Sequence, residues 1–206
     1  MKVLLINGSP NKTGCTFTAL SAVADTLEEA GIATEIFHIG TKPISGCINC
    51  GGCAMDEYCV LPDDGVNACI DKAREADGLV IGSPVYYAAP NGALCAFLDR
   101  MFFMKHDIYA FKPGAAVVNC RRGGASASFD RLNKYFTIAH MPVVSSQYWN
   151  STHGFTPDEV RKDLEGMQTM RMLGQNMAWL IQCIDYAKNV FPKPELEARV
   201  ATNFIE

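Results

Sequence analysis

The first sixteen residues constrain the fold more strongly than any other part of the chain. The apolar run at residues 3–6 is typical of a buried strand in a parallel sheet. The following Asn-Gly-Ser-Pro breaks regular structure, and residues 17–30 then carry apolar side chains at helical spacing. Strand, tight polar loop and helix, in this order, direct the free amides of a helix N-terminus at an anion. The start of the chain therefore predicts an α/β unit with an anion site in its first loop.

The loop at residues 9–16 is rich in neutral donors. It carries the hydroxyl groups of Ser9, Thr13 and Thr16, with Lys12 as the nearby cation. It lacks the Gly-x-x-x-x-Gly-Lys-Ser/Thr pattern, which excludes a nucleoside-triphosphate P-loop. A single phosphate fits better, and FMN is a leading candidate because its phosphate is terminal and its oxidised ring is neutral. The alternative is an ordinary turn in which Ser and Thr only cap the helix.

Strand and helix patterns alternate along the rest of the chain. Further strands are predicted at residues 34–39, 78–82, 115–120 and 141–145. Helices are predicted at 91–105, from 123–124 through Tyr135, and after a cap at residues 63–64. Thr156-Pro157-Asp158-Glu159 has the pattern of a capping box, which predicts one helix from there to about Lys188. Five strands alternating with five helices predict an α/β fold, a five-stranded doubly wound parallel sheet with helices on both faces.

Composition limits the size and the partners of the protein. With 206 residues and 49% hydrophobic residues, we expect a single domain at residues 1–190 and a C-terminal arm at 191–206. The net charge of −4, without a basic run, argues against nucleic acid as a partner. No apolar run reaches the about 20 residues that cross a membrane. The chain enters its first strand without room for a leader, and its nine cysteines suit reduced thiols, so we expect a cytoplasmic protein.

Three predicted loops fall at the edge of the sheet where ligands bind, beyond the carboxyl ends of the strands. They are residues 9–16, 83–91 and 119–125. The second combines prolines with two tyrosines, which suits a flat aromatic ring. The third supplies two arginines beside glycines that allow close approach of the backbone. One loop for a phosphate and two for a ring predict a flavin site.

Residues 8–16, 82–87 and 96–100 read Gly-Ser-Pro-Asn-Lys-Thr-Gly-Cys-Thr, Gly-Ser-Pro-Val-Tyr-Tyr and Ala-Phe-Leu-Asp-Arg. In these segments the chain resembles the flavodoxin-like NADPH-dependent FMN reductases, particularly their iron–sulfur flavoprotein branch. The resemblance implies a flavodoxin-like fold and an oxidoreductase. Such an enzyme passes electrons from NAD(P)H through FMN to a quinone, a nitro or azo compound, or flavin, without a catalytic side chain. It also implies a homodimer or homotetramer in which both subunits border one flavin.

Carried over by position, the resemblance implies three groups of FMN contacts. The phosphate is expected at Ser9, Asn11, Cys15 and Thr16, the ribityl chain and ring at Pro84, Val85, Tyr86 and Tyr87, and the isoalloxazine at Asn119, Cys120, Arg121, Arg122 and Gly123. Many relatives have Arg in place of Asn11, so a charge-assisted contact is missing here. One of the two arginines is expected at the N1–O2 edge of the ring or at the 2′-phosphate of NADPH. The alternative is that both are surface residues.

A second distinctive feature is the Cys- and Gly-rich insertion at residues 41–62. It contains Cys47, Cys50, Cys53 and Cys59, and clustered thiolates at such spacing suit a metal or a cubane cluster. The spacing resembles the motif of iron–sulfur flavoproteins, in which a [4Fe–4S] cluster feeds electrons to FMN. Zinc, free thiols and a disulfide-forming redox pair stay open as alternatives. A filled site favours an electron carrier that a redox partner protein reduces, whereas an empty one favours the reductase.

The segment at residues 148–153 follows the predicted fifth strand. On that placement it is a candidate lid over the ring or the nicotinamide, and the alternative is a packed aromatic loop. The four histidines show no ligand spacing, so a structural role is expected for them.

Overall fold

The computed structural model describes residues 1–56, 58–61, 64–103, 106–198, 200 and 202. Its centre is a parallel sheet of β1 (Lys2–Asn7), β2 (Ala33–His38), β3 (Gly78–Tyr86), β5 (Gly114–Cys120) and β6 (Ser151–His153), with the short β4 (Ala89–Pro90) antiparallel to the end of β3. The strand order is β2-β1-β3-β5-β6. This is the flavodoxin-like doubly wound order. The prediction of a five-stranded parallel sheet is confirmed.

Helices cover both faces of the sheet. They are α1 (Cys15–Glu29), α2 (Cys53–Asp56), α3 (Val66–Glu75), α4 (Gly92–Phe103), α5 (Ala125–Ile138), α6 (Pro157–Lys162) and α7 (Leu164–Ala187), with a 3₁₀ turn at His106–Ile108. Side chains alternate across a strand, so Leu4 and Ile6 of β1 pack under α3, α4 and α5. Val3 and Leu5 pack under α1 and α7. Each face of the sheet therefore has its own apolar core.

The predicted position of the fifth strand is wrong. Residues 141–145 form only an isolated bridge between Val143 and Gly114, and the fifth strand is β6. Near this bridge, the Gly114 amide donates to Pro142, and the chain then leaves the sheet edge. It returns where the Val118 amide donates to the Asn150 carbonyl at 3.0 Å. Because β6 has only three residues, its alternation is too short to stand out in the sequence.

The single helix predicted from Thr156 to about Lys188 is two helices. The Thr156 cap is confirmed, since its hydroxyl accepts from the Glu159 amide at 3.3 Å. The chain leaves helical geometry at Asp163, with φ −74° and ψ 82°. The Asp163 carboxylate then caps α7 by accepting from the Gly166 amide at 2.9 Å, and it also accepts from the His153 amide. Asp163 therefore ends α6, begins α7 and fixes the end of β6.

Parts of several predictions lie outside the described residues. These positions are 57 and 62 of the insertion, Asp63 of the predicted α3 cap, Lys105 at the predicted end of α4, and 199, 201 and 203–206 of the arm. Residues 193–198 of the arm have no helix or strand and are exposed. The division at residue 190 stays a prediction. Within the described ranges, none of the helices is long and apolar enough to cross a membrane.

Candidate functional site

The loop after β1 is organised by the side chain of Asn7, the last residue of the strand. Its Oδ1 accepts from the Ser9 amide at 3.1 Å, and its Nδ2 donates to the Lys12 carbonyl at 3.1 Å. The Ser9 hydroxyl in turn accepts from the Asn11 amide at 3.1 Å. These bonds are internal to the loop, so its conformation is fixed before any ligand arrives.

The N-terminus of α1 is left open by this loop. The residue before the helix, Gly14, offers no side-chain cap, and the amides of Thr16 and Phe17 find no backbone acceptor in the part of the chain that the structure describes. The Thr16 hydroxyl is buried and also has no partner there. Free amides together with a buried orphan hydroxyl are suited to a phosphate group. The residues at this end of the helix therefore fit the phosphate of FMN.

The loops after β1 and β3 are tied to each other. The Gly8 amide donates to the Gly82 carbonyl at 2.9 Å, and Asn91 Nδ2 donates to the Gly8 carbonyl at 2.7 Å. The Asn91 amide also donates to the Ser83 hydroxyl at 3.0 Å. A buried Asn at the start of α4 thus holds the phosphate loop and the loop at residues 83–91 in one fixed relation.

The second loop is a hairpin with a strained turn. Strand β3 continues to Tyr86, and the turn residues Tyr87 and Ala88 have φ of 51° and 59°. Two-residue hairpin turns of this kind favour Asn-Gly, because positive φ costs other residues about 1–2 kcal/mol each. The Tyr87 side chain is fully exposed and Tyr86 is half exposed. Such strain is often found at functional sites, where it is part of the mechanism.

The loop after β5 packs against this hairpin. Gly124, with φ 89°, starts α5 so close to Val85 and Ala88 that a side-chain carbon there would lie 2.6 Å from the Ala88 Cα. Burial raises the pKa of the Cys120 thiol, which accepts hydrogen bonds from the amides of Arg122 and Ala125. The three predicted ring and phosphate loops therefore form one continuous surface at the carboxyl edge of the sheet.

The predicted contact residues are not all equally available on this surface. Arg121, Arg122 and Gly123 are exposed, as are Asn11 and Thr13, while Pro84, Val85 and Cys15 are partly buried. The side chain of Asn119 is buried and donates to Thr152 of β6, at 3.1 Å to the hydroxyl and 3.2 Å to the carbonyl. Its amide nitrogen is thus engaged in the sheet.

The candidate lid at residues 148–153 does not follow the last strand. Its residues 151–153 are β6 itself, and Tyr148 and Trp149 precede the strand at the open edge of the sheet, with ring centroids 4.9 Å apart. Of this segment, His153 reaches the carboxyl end, opposite Cys120.

The four cysteines of the insertion line one cleft, together with Arg100 and Phe103. Cys47 and Cys50 are exposed, whereas Cys53 and Cys59 are partly buried. Burial raises the pKa of the Cys53 thiol, and the other three thiols of the cluster raise it further. Within the described residues, no three His, Cys, Asp or Glu side chains are already arranged to hold a metal ion. The structure therefore places the cysteines near one another without closing the site.

An arginine that could not be identified from the spacing of the cysteines also lines this cleft. Arg100 on α4 is 2% exposed, pairs with Asp64, and donates from Nε to the Cys59 sulfur at 3.2 Å. Its Nη2 is buried and has no partner among the described residues. A buried donor beside four thiols fits a centre of thiolate-bound metal. The available signal was a charged residue among the apolar positions of a helix.

Three other residues that shape the sites were also missed as functional: Asn7, Asn91 and His38. His38, at the end of β2, donates from Nε2 to the Ser9 carbonyl at 2.8 Å and so links the start of the insertion to the phosphate loop. The contacts of Asn91 and His38 join positions far apart in sequence, so spacing alone does not reveal them.

Comparisons with known proteins agree with this geometry. The model of a family described as NADPH-dependent FMN reductase matches residues 1–156. An iron–sulfur flavoprotein of Methanocaldococcus jannaschii is 30% identical over 196 residues, which cover 89% of this chain and 99% of the relative. The structure of RosB with bound 8-demethyl-8-formylriboflavin-5′-phosphate covers 100% of this chain and 94% of RosB, with TM-score 0.68 and 16% identity. A flavodoxin from the domain Archaea matches 88% of this chain and 99% of its own, with TM-score 0.58 and 14% identity. The two structures show the flavodoxin-like fold.

Proposed function

Because the chain belongs to the NADPH-dependent FMN reductase family, we propose that it binds FMN and passes electrons from NAD(P)H through the flavin to a small-molecule acceptor. The acceptor is a quinone, a nitro or azo compound, or flavin. The observation that carries this proposal is the open N-terminus of α1, where free amides and the orphan Thr16 hydroxyl meet two interlocked loops. FMN supplies the hydride and electron chemistry, while the protein supplies binding, orientation and access.

The binding roles follow from the position of each loop. Ser9, Asn11, Thr13, Cys15 and Thr16 surround the proposed phosphate, and the amides at the start of α1 donate to it. Pro84, Val85, Tyr86 and Tyr87 lie on the hairpin side of the ring, with Asn119, Cys120, Arg121, Arg122 and Gly123 on the other side. The exposure of Arg121 and Arg122 leaves both free to meet the N1–O2 edge of the ring or the 2′-phosphate of NADPH.

A second candidate function is that of an iron–sulfur flavoprotein, an electron carrier with a [4Fe–4S] cluster at Cys47, Cys50, Cys53 and Cys59. The specific observation in its favour is the buried Arg100 donor beside the four thiols. The name of the relative from Methanocaldococcus jannaschii points the same way. A redox partner protein would then reduce the cluster, and the cluster would pass electrons to FMN.

We also propose a homodimer or homotetramer in the cytoplasm. Helix α7 exposes Trp179, Cys183 and Tyr186 on successive turns, and exposed apolar side chains of this kind suit a subunit interface. The nine cysteines of the chain suit reduced thiols, which are typical of a reducing compartment. Size-exclusion chromatography with light scattering measures the subunit number, and a monomer at all concentrations contradicts the oligomer.

Two measurements on protein purified without oxygen test both functions. They are the visible spectrum before and after addition of NADPH, and an analysis for iron and zinc. Flavin bands that bleach on addition of NADPH, with little iron, support the reductase. Broad brown absorbance with about four irons per chain and no response to NADPH supports the electron carrier. A colourless protein that does not take up added FMN contradicts both.

A further inference from the structure

Among the described residues, Cys59 is held by side chains of two helices, whereas Cys47 and Cys50 lie on an exposed stretch. The backbone of Cys59 is clamped by the side chain of Asn67 in the first turn of α3. The Cys59 amide donates to Asn67 Oδ1 at 2.9 Å, and Asn67 Nδ2 donates to the Cys59 carbonyl at 2.9 Å. Two opposed bonds to one residue fix both its position and its orientation.

The side chain of Cys59 is held separately by Arg100. The guanidinium donates from Nε to the sulfur at 3.2 Å, and its Nη1 contacts Asp64 and the Ser45 carbonyl. These bonds leave Nη2 buried without a partner among the described residues, and Arg100 lines the same cleft as the thiols. An arginine that is paired on one side and unpaired on the other can still donate to a further acceptor in the cleft.

The part of the cleft that carries Cys47 and Cys50 is different. Cys47 and Cys50 lie on an exposed stretch without helix or strand, and Asn49 between them has φ 52°. The space in the cleft is about 20 Å³, which is room for roughly one water molecule. A [4Fe–4S] cluster needs more room than this, so the stretch with Cys47 and Cys50 has to move to admit one.

We propose that Asn67 and Arg100 are positioning residues that make Cys59 the fixed ligand of this site, around which the stretch with Cys47 and Cys50 rearranges to take up the metal centre. Arg100 Nη2 then donates to sulfur of the bound centre. The inference rests on the proposed occupation of the four cysteines by a thiolate-bound metal centre. Hydrogen bonds to ligand sulfur raise the reduction potential of such a centre and hold its ligands in place.

The first test uses metal-free protein and a neutral alkylating reagent, with each modified cysteine located by mass spectrometry. Cys59 is expected to react more slowly than Cys47 and Cys50. Asn67→Ala and Arg100→Lys are expected to remove this difference, since lysine keeps the pair with Asp64 but lacks the Nε donor. The control is Arg131→Lys, an exposed arginine on α5, which is expected to leave the rates unchanged. Equal rates in the wild type, or rates unchanged in Asn67→Ala, overturn the proposal.

The second test measures metal binding by the same proteins. Zinc affinity, measured by competition with a chromophoric chelator, is expected to fall roughly 10–100-fold in Asn67→Ala and Arg100→Lys. After anaerobic reconstitution with iron and sulfide, Arg100→Lys is expected to shift the reduction potential to a more negative value. If the wild type binds neither metal while Cys59 stays slow to react, the four cysteines do not hold a metal centre, but the proposal that Asn67 and Arg100 fix Cys59 is supported. If all variants bind zinc as well as the wild type, Asn67 and Arg100 do not position a ligand, but the proposal that the four cysteines hold a metal is supported.

Discussion

The loops after β1 and β2 begin at neighbouring strands on the same edge of the sheet, yet they are organised in opposite ways. The loop after β1 needs only residues 8–14 and closes around Asn7 through hydrogen bonds of its own. The loop after β2 extends over residues 39–52 and has irregular structure, and apart from Ile39 and Ile44, which pack on the core, it is mostly exposed. The contact from His38 to the Ser9 carbonyl joins the two.

This difference indicates two ways of building a site on one fold. The phosphate loop is fixed by the side chain of Asn7 at the end of β1, so its donors already point at the place where an anion binds. In the cysteine insertion, Cys59 is fixed by contacts with α3 and α4. We therefore expect the proposed FMN site to be sensitive to small changes of shape, and the cysteine site to be sensitive to the loss of its few anchoring contacts.

The largest expected effect is on stability, and it follows from replacing Arg100, which holds Cys59 in the cysteine site. Arg100→Met removes a buried cation and leaves Asp64 without its partner, so the free energy of unfolding is expected to fall by about 3–5 kcal/mol. Urea unfolding at pH 7 measures it. The control is Arg161→Met, whose pair with Asp158 is exposed and is worth less than about 1 kcal/mol. Equal losses in the two variants contradict the role of Arg100 as an anchor.

The next prediction concerns the orphan hydroxyl of the phosphate loop. Thr16→Val removes a buried group without a partner, so the flavin-free protein is expected to keep or gain stability. FMN affinity is expected to fall roughly 10–100-fold, the value of a hydrogen bond to a charged group. Fluorescence titration with FMN measures the affinity.

Thr18→Val is the matched control for Thr16→Val. The Thr18 hydroxyl donates to the Gly14 carbonyl at 3.2 Å, so this variant is expected to lose about 1 kcal/mol of stability with a smaller loss of affinity. If the two variants behave alike, Thr16 is not a ligand of the phosphate.

A third pair of variants replaces one glycine by alanine in the loop after β1 and one in the loop after β2. A side-chain carbon at Gly8 would lie 2.8 Å from the Gly82 carbonyl oxygen, whereas nothing lies within 4 Å of one at Gly46. Gly8→Ala is therefore expected to cost about 1–3 kcal/mol of stability and to weaken FMN binding. Gly46→Ala is expected to change neither. Chemical unfolding and FMN titration measure both, and a tolerated Gly8→Ala would show that the phosphate loop is less tightly fixed than its contacts indicate.

The order of the elements could be predicted from the sequence, because buried strands and helix caps are local signals. The apolar run before Gly8 and the helix cap at Thr156 are examples, and both are found in the structure, although the Glu159 carboxylate accepts from the Phe155 amide and not from that of Thr156. β6 was missed because three residues carry too little pattern, and the break at Asp163 was hidden in a continuous helical periodicity. Local sequence signals therefore predict where helices and strands lie better than they predict where a helix is interrupted.

The contacts that shape the two sites were less predictable. Asn91 reaches Gly8 across 83 positions, and Arg100 reaches Cys59 across 41. Such contacts exist only after the sheet has brought the loops to one edge. The spacing of the cysteines predicted that they would lie together, but it held no information about which of them is fixed.

The smallest expected effect is at the hairpin beside the proposed ring site, where the contrast between fixed and adaptable structure is tested within a single turn. Ala88 has φ 59°, a conformation that costs a non-glycine residue about 1–2 kcal/mol. Ala88→Gly is expected to raise the free energy of unfolding by about 0.5–1 kcal/mol, since the greater freedom of glycine in the unfolded chain offsets part of the relief.

Ala89→Gly, one residue later in β4, is the control and is expected to lower stability by about 0.5–1 kcal/mol, because its backbone is extended. FMN titration of Ala88→Gly then separates two roles of the strain. If the strained turn holds Tyr87 against the ring, the more stable variant binds FMN more weakly. If the affinity for FMN is unchanged, the strain has no role in FMN binding. It then follows only from the close packing of Gly124 against the turn.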